Sequence, residues 1–94
     1  MPSNRQNKQS NYQVFVIDMF HYDETWMDKE YDTAEDAIAR AKDIVLRSFS
    51  KRGKAGYDEW LSFGESAGVI ASNGAEEVDF SAQDFVKEIC NIHE

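Results

Sequence analysis

The sequence predicts a small α+β domain in the order β-β-α-β-β-α, an antiparallel sheet with two main helices packed on one face. Three observations point there. Tyr12 to Met19 is rich in β-branched and aromatic residues, the types that fit a pleated surface. Thr33-Ala34-Glu35-Asp36 opens a segment with apolar residues every three or four positions. Ser81 opens a second such segment near the end of the chain.

Residues 1–11 hold Asn, Gln and Ser with two charges, Arg5 and Lys8. They cannot bury enough apolar area to offset the entropy of ordering, so they are expected to form a disordered tail. Residues 12–94 then form a single domain. The first strand should run over about 12–22. Tyr12, Val14 and Val16 share one face, with Phe20 and Tyr22 further along; Phe15, Ile17 and Met19 share the other. Apolar residues on both faces predict a central strand covered on both sides. Helices supply one cover. Loops, the second half of the chain or another subunit must supply the other.

Asp23-Glu24-Thr25 is read as a turn and Trp26–Tyr31 as the second strand, with Met27 and Tyr31 on one face and Asp28 and Glu30 on the other. That alternation suits a half-exposed strand nearer an edge. Thr33 can cap the long helix by accepting from the Asp36 amide, while Glu35 and Asp36 suit the positive end of the helix dipole. Ala34, Ile38, Ala41, Val45 and Phe49 form its stripe, widened by Ala37 and Ile44. Arg47, Lys51 and Arg52 suit its negative end, and Gly53 and Gly56 are expected to stop it.

Tyr57, Trp60 and Leu61 fit one short helical turn, with Gly64 just beyond. Ala67–Ser72 reads as a strand, Asn73-Gly74 as a type I′ hairpin turn, and Glu76–Phe80 as the return strand. Ser81 caps the last helix, and Phe80 and Phe85 stand at the positions of a hydrophobic staple. Phe85, Ile89 and Ile92 form its stripe, flanked by Val86 and Cys90.

Composition narrows the function. The net charge is −8, and residues 12–94 carry 8 basic and 18 acidic residues, a net of −10. Such a body repels phosphate backbones and anionic membrane surfaces, so neither nucleic acid nor membrane is expected as a partner. The single cysteine, Cys90, permits no internal disulfide, which suits a reducing compartment. The longest aliphatic or aromatic run is Val14–Ile17, far short of the ~20 residues of a membrane span. The amino-terminal residues lack the apolar core of a secretory signal, so a cytoplasmic location is expected.

Five features bear on chemistry. Gly64-Glu65-Ser66-Ala67-Gly68 matches the G-x-S-x-G of an esterase nucleophile elbow. An elbow follows a strand and precedes a helix; here the order is reversed, and the expected small antiparallel sheet is the wrong scaffold. A Gly-rich connector is the favoured reading, with no catalytic residue. The end of the first strand gathers Asp18, His21, Asp23 and Glu24. A carboxylate that interrupts an apolar strand needs a partner, and a histidine there can act as acid, base or ligand. Strict alternation places Asp18 and His21 on opposite faces. The binding candidates are Asp18, His21, Tyr22, Asp23 and Trp26. Eight carboxylates between Asp18 and Asp36 face one base, Lys29, but no calcium-loop pattern is present, so a solvated acidic face is expected and no metal or cofactor is assigned. Lys51-Arg52-Gly53-Lys54 complements a helix end, and Cys90 falls on a core stripe.

Phe20-His21-Tyr22, Asp32 to Ile38, Phe63-Gly64-Glu65 and Phe80 to Phe85 together resemble a family of small uncharacterised bacterial α+β proteins, over roughly residues 12–90. In that family the position of Met19 tends to be polar and that of Ser66 acidic. The resemblance implies a bacterial, cytoplasmic setting and no activity, substrate or cofactor.

The leading expectation is a non-catalytic protein-association module, a homodimer. It rests on the two apolar faces of the first strand and on the aromatics Phe20, Tyr22, Trp26, Tyr57, Trp60 and Phe63, residue types enriched at interfaces. Two alternatives stand beside it. One is a small enzyme or a metal- or ligand-binding site around Asp18, His21 and Asp23. The other is an acidic surface that docks a basic protein.

Overall fold

Tyr12–Asp18 forms the central strand, β1, of a three-stranded antiparallel sheet in the computed structural model, which describes residues 11–71 and 78–92. Glu24–Tyr31 (β2) and Glu65–Ala71 (β3) flank it. Three helices complete the α+β fold: α1 (Ala34–Leu46), α2 (Gly53–Phe63) and α3 (Ala82–Ile89). The element order among the described residues is therefore β-β-α-α-β-α. Residues 1–10 of the expected tail and the Asn73-Gly74 turn lie outside the described residues, as do Glu76 and Glu77 of the expected return strand. Val78–Phe80, its remainder, has no strand structure.

The alternation of β1 sorts the sheet into two faces. Tyr12, Val14 and Val16 are buried on the helix side, opposite Ala71, Val69 and Ala67 of β3. They join Ala37, Ala41, Ile44 and Val45 of α1, Trp60 of α2, and Ala82, Val86 and Cys90 around α3 in one core. Each fully buried large side chain contributes about 1.5–3 kcal/mol before entropy is counted. Two caps form as the sequence predicts. The Thr33 hydroxyl accepts from the Asp36 amide at 3.1 Å, and the Ser81 hydroxyl accepts from the Asp84 amide at 3.3 Å. Phe80 and Phe85 form the staple, with ring centroids 6.2 Å apart. Val86 and Cys90 lie deepest on α3, so its buried stripe is centred one position beyond the Phe85 line.

Three sequence expectations are corrected. β2 starts at Glu24 and carries an irregularity: Gln13 pairs with Glu30 but Phe15 pairs with Met27, so Asp28 and Lys29 together oppose Val14. The extra residue reverses the alternation. Met27 points to the outer face, 58% exposed, while Tyr31 packs against the core on the helix side; they do not share a face. Asp28 also lies on the helix side, where it receives Arg40 Nε of α1 at 2.9 Å.

The second correction concerns the long helix, which ends at Leu46, before Phe49 and well before the glycines. Gly53 instead starts α2 with φ +74°, and Gly56 sits inside it. A Cβ on Gly56 would fall 2.1 Å from the Lys51 carbonyl oxygen, so the chain can fold back into α2 only over a residue without a side chain. Tyr57, Trp60 and Leu61 do turn inward, as one face of an 11-residue helix rather than a single turn.

The third correction ends β1 at Asp18. Met19–His21 forms a 3-10 turn there, so Phe20 and Tyr22 do not extend the buried face.

Candidate functional site

The carboxylate of Asp18 makes that 3-10 turn. Its Oδ1 accepts from the amides of Phe20 (3.1 Å) and His21 (3.3 Å), so the side chain captures the backbone that would otherwise continue the strand. The turn swings His21 back, and His21 Nδ1 meets Asp18 Oδ2 at 2.7 Å. Alternation had kept the two residues apart; the turn brings them together. An ionised carboxylate only accepts, so Nδ1 carries the hydrogen and Nε2 is left for solvent. The hydrogen bond from His21 holds the Asp18 carboxyl below its ordinary range. Partial desolvation opposes it, and the His21 charge and the two amides reinforce it.

Tyr22 and Asp23 follow with φ of 58° and 61°, two consecutive left-handed residues that reverse the chain into β2. Tyr22 stands at the tip, 98% exposed. Asp23 bonds to neither member of the Asp18–His21 pair. It lines a cleft of about 410 Å³ at the outer face of the sheet, over Phe15, Ile17 and Met19 with the hydroxyls of Thr25, Ser66 and Ser81 around it. Trp26, cross-strand from Val16, lines a separate small groove on the helix side with Asp28 and Arg40. The five binding candidates therefore divide: Asp18 and His21 form a pair, Tyr22 is a tip, and Asp23 and Trp26 face opposite sides of the sheet. Among the described residues no three His, Cys, Asp or Glu side chains converge as a metal site.

Ser66 lies within β3, after α2 has ended at Phe63, in the order helix, turn, strand. It opposes Ile17 on the outer face, whereas Asp18 is the next residue along and faces the other way. The motif's glycines have packing reasons. A Cβ on Gly64 would fall 2.5 Å from Trp60 Cδ1, and one on Gly68 would fall 2.3 Å from Phe15 Cζ. The motif marks a tight corner and a ring laid flat on a strand.

The outer face extends beyond the cleft. Phe15 and Ile17 are half-buried, and Met27 and Ile70 are 58% and 49% exposed. Thr25, Ser66 and Gly68 lie among them, Gln13 stands between Ile70 and Glu30 at one end of the face, and Asp23 lines the cleft at the other. The prediction that β1 is central holds; on its second apolar side Phe15, Ile17 and Met19 share the cleft with Ser81, Ala82 and Gln83 at the start of α3, while Met27 and Ile70 stand exposed.

A further cluster escaped the sequence reading. Phe20 and Phe63, 43 positions apart, bring their rings to 5.5 Å. The Met19 amide donates to the Gly64 carbonyl at 3.1 Å and ties the 3-10 turn to the end of α2. No local pattern announces such a contact; an apolar residue at each of two element ends is the only trace.

No helix among the described residues is long and apolar enough to cross a membrane. Comparison with protein-family models, curated proteins and solved structures returns no match.

Proposed function

We propose that the chain is a non-catalytic association module of the bacterial cytoplasm that pairs with a second copy of itself through the outer face of its sheet. One observation carries this reading. Phe15, Ile17, Met27 and Ile70 crown an apolar strip between Glu30 at one end and Asp23 at the other, on a chain of net charge −8. Two such chains repel each other over most of their surface, and a neutral apolar strip is where they can meet without stacking carboxylates.

The size of the strip sets the strength. Three strands about 4.8 Å apart and about 23 Å long present roughly 320 Å² in plane, comparable with the largest apolar patch on an ordinary monomer. That is below the ~800 Å² per partner of a standard interface, so a weak, exchanging dimer is expected. Sedimentation from about 10 μM to 1 mM tests it, a range set by the micromolar-to-millimolar affinities of small interfaces. The weight-average mass should rise with concentration for the wild type and stay monomeric for Met27→Glu. A constant monomer mass for the wild type over the whole range refutes the proposal.

The alternative of an enzyme or ligand site around Asp18, His21 and Asp23 has less support. The Asp18–His21 pair orients an imidazole, as proton-transfer sites do. Asp23, however, lines a different cavity, and no serine hydroxyl or thiol among the described residues bonds to His21.

A further inference from the structure

The end of the sheet opposite the chain's first strand residue carries apolar surface that the core does not use. Phe20 is 55% and Phe63 64% exposed, with ring planes tilted 46° to each other. The His21 ring meets Phe20 edge-on at 5.0 Å. This aromatic ridge stands beside a row of carboxylates. Glu24, Asp18 and Glu65 are cross-strand neighbours on β2, β1 and β3, and Glu59 lies one helical turn before Phe63. Like charges directly across a sheet are unfavourable. The charged groups facing them are few: His21 meets Asp18, Lys51 reaches Glu59 at 4.0 Å, and Arg47 shares the small groove of Glu65 but bonds to Asp43 at 2.6 Å. Among the described residues no cation pairs with Glu24 or Glu65.

We propose that this ridge docks an arginine-bearing segment of a protein partner. A guanidinium stacks flat on a phenyl face and donates in a fork to a carboxylate, so it satisfies both features at once. A lysine ammonium pairs with the carboxylate but lacks the planar face. A neutral apolar partner would strip water from the acidic row and leave it unpaired. A second copy of this chain would bring its own acidic row and a net charge of −8. The ridge is thus a different surface from the outer sheet face, with an occupant of opposite charge.

The test is a titration of the full chain, followed residue by residue by NMR, with acetylated and amidated tetra-arginine and tetra-lysine. Each stacked guanidinium at an exposed site contributes about 0.5–1 kcal/mol, so tetra-arginine should bind about two- to fivefold more tightly than tetra-lysine. The largest shifts should fall on Phe20, His21, Phe63 and Glu65. Phe20→Leu with Phe63→Leu keeps the apolar volume and removes the rings; it should bring the two peptides to equal affinity. Equal affinities in the wild type overturn the proposal. So do a preference that survives the double leucine variant, and shifts centred on the acidic residues of α1 and on Asp28 and Glu30 of β2. Should the double variant fail to fold, the wild-type preference and shift map decide alone. The mass of the chain in solution plays no part in this readout, so it stands apart from the test of the dimer.

Discussion

Replacing Gly64 with alanine should destabilise the protein, although glycine to alanine usually does the reverse. Gly64 has φ −95°, which alanine adopts without strain, so the backbone preference alone predicts a gain of about 0.4–1 kcal/mol from a less disordered unfolded chain. Packing opposes it. The added methyl would lie 2.5 Å from Trp60 Cδ1 and 2.8 Å from the Trp60 carbonyl oxygen, where ordinary contact is about 3.5–4 Å. The ring cannot swing aside: Trp60 has no exposed surface, and its Nε1 donates to the Glu65 carbonyl at 2.9 Å. The Met19–Gly64 hydrogen bond ties the same backbone to the 3-10 turn. Overpacking of this kind costs about 1–3 kcal/mol, and two contacts this short put it in the upper half of that range, for a net loss of about 1–2 kcal/mol. At about 4–8 °C per kcal/mol for a domain of this length, Tm should fall by roughly 4–16 °C. Gly68→Ala is the internal control. Its methyl meets the far end of the Phe15 ring, which can lift into the open on the outer face, so the change should stay below about 1 kcal/mol. Urea unfolding followed by tryptophan fluorescence measures both variants. A Gly64→Ala protein as stable as the wild type would refute the packing account and reopen the G-x-S-x-G motif to another explanation.

Trp60→Phe should cost less than Trp60→Ala, because phenylalanine keeps most of the buried ring while Ser48 Oγ still donates to the Glu65 carbonyl at 3.2 Å; about 1–2 against 3–5 kcal/mol is expected in chemical denaturation, and near-equal losses would mean that the indole hydrogen bond, not the ring, carries the effect. Asp28→Ala and Arg40→Ala should be coupled by about 0.5–1 kcal/mol in a double-mutant cycle, since Arg40 reaches Asp28 through two nitrogens; strict additivity would mean the ion pair is idle. Asp18 titrates lower in the folded chain than unfolded, so its contribution is fully present above the ordinary aspartate pKa of about 3.9 and is lost as pH falls through the folded value. The stability gap between wild type and Asp18→Asn should therefore narrow on acidification below about pH 4, and a gap that widens there contradicts the hydrogen-bond assignment.

Local chemistry was readable in the sequence wherever a side chain acts on its own neighbours. Thr33 and Ser81 cap their helices, Phe80 finds Phe85, and the apolar run of β1 marks the middle of the sheet. The misreadings arose where a single residue shifts a period. One extra residue opposite Val14 reverses the faces of Met27 and Tyr31. Asp18, read as an interruption in a longer strand, ends it by taking two amides for itself. Gly53 and Gly56 look like helix stops because glycine is a poor helix former, yet they serve the entry of α2, where a close carbonyl demands one of them. The Asp18–His21 pair was visible as residue types and hidden as geometry, because strand alternation was extended three residues too far. The Phe20–Phe63 contact depends on tertiary approach and had no sequence period to show it.

The reversal at Tyr22-Asp23 uses two residues with side chains in a conformation that glycine and asparagine reach more easily, at a cost of about 1–2 kcal/mol for an ordinary residue such as tyrosine. Asn or Gly in their place would adopt these two positive φ values at lower cost. This corner is thus an unused reserve of thermostability. An engineer could draw on it without touching the core, and a library of random variants selected for heat resistance should return to these two codons early.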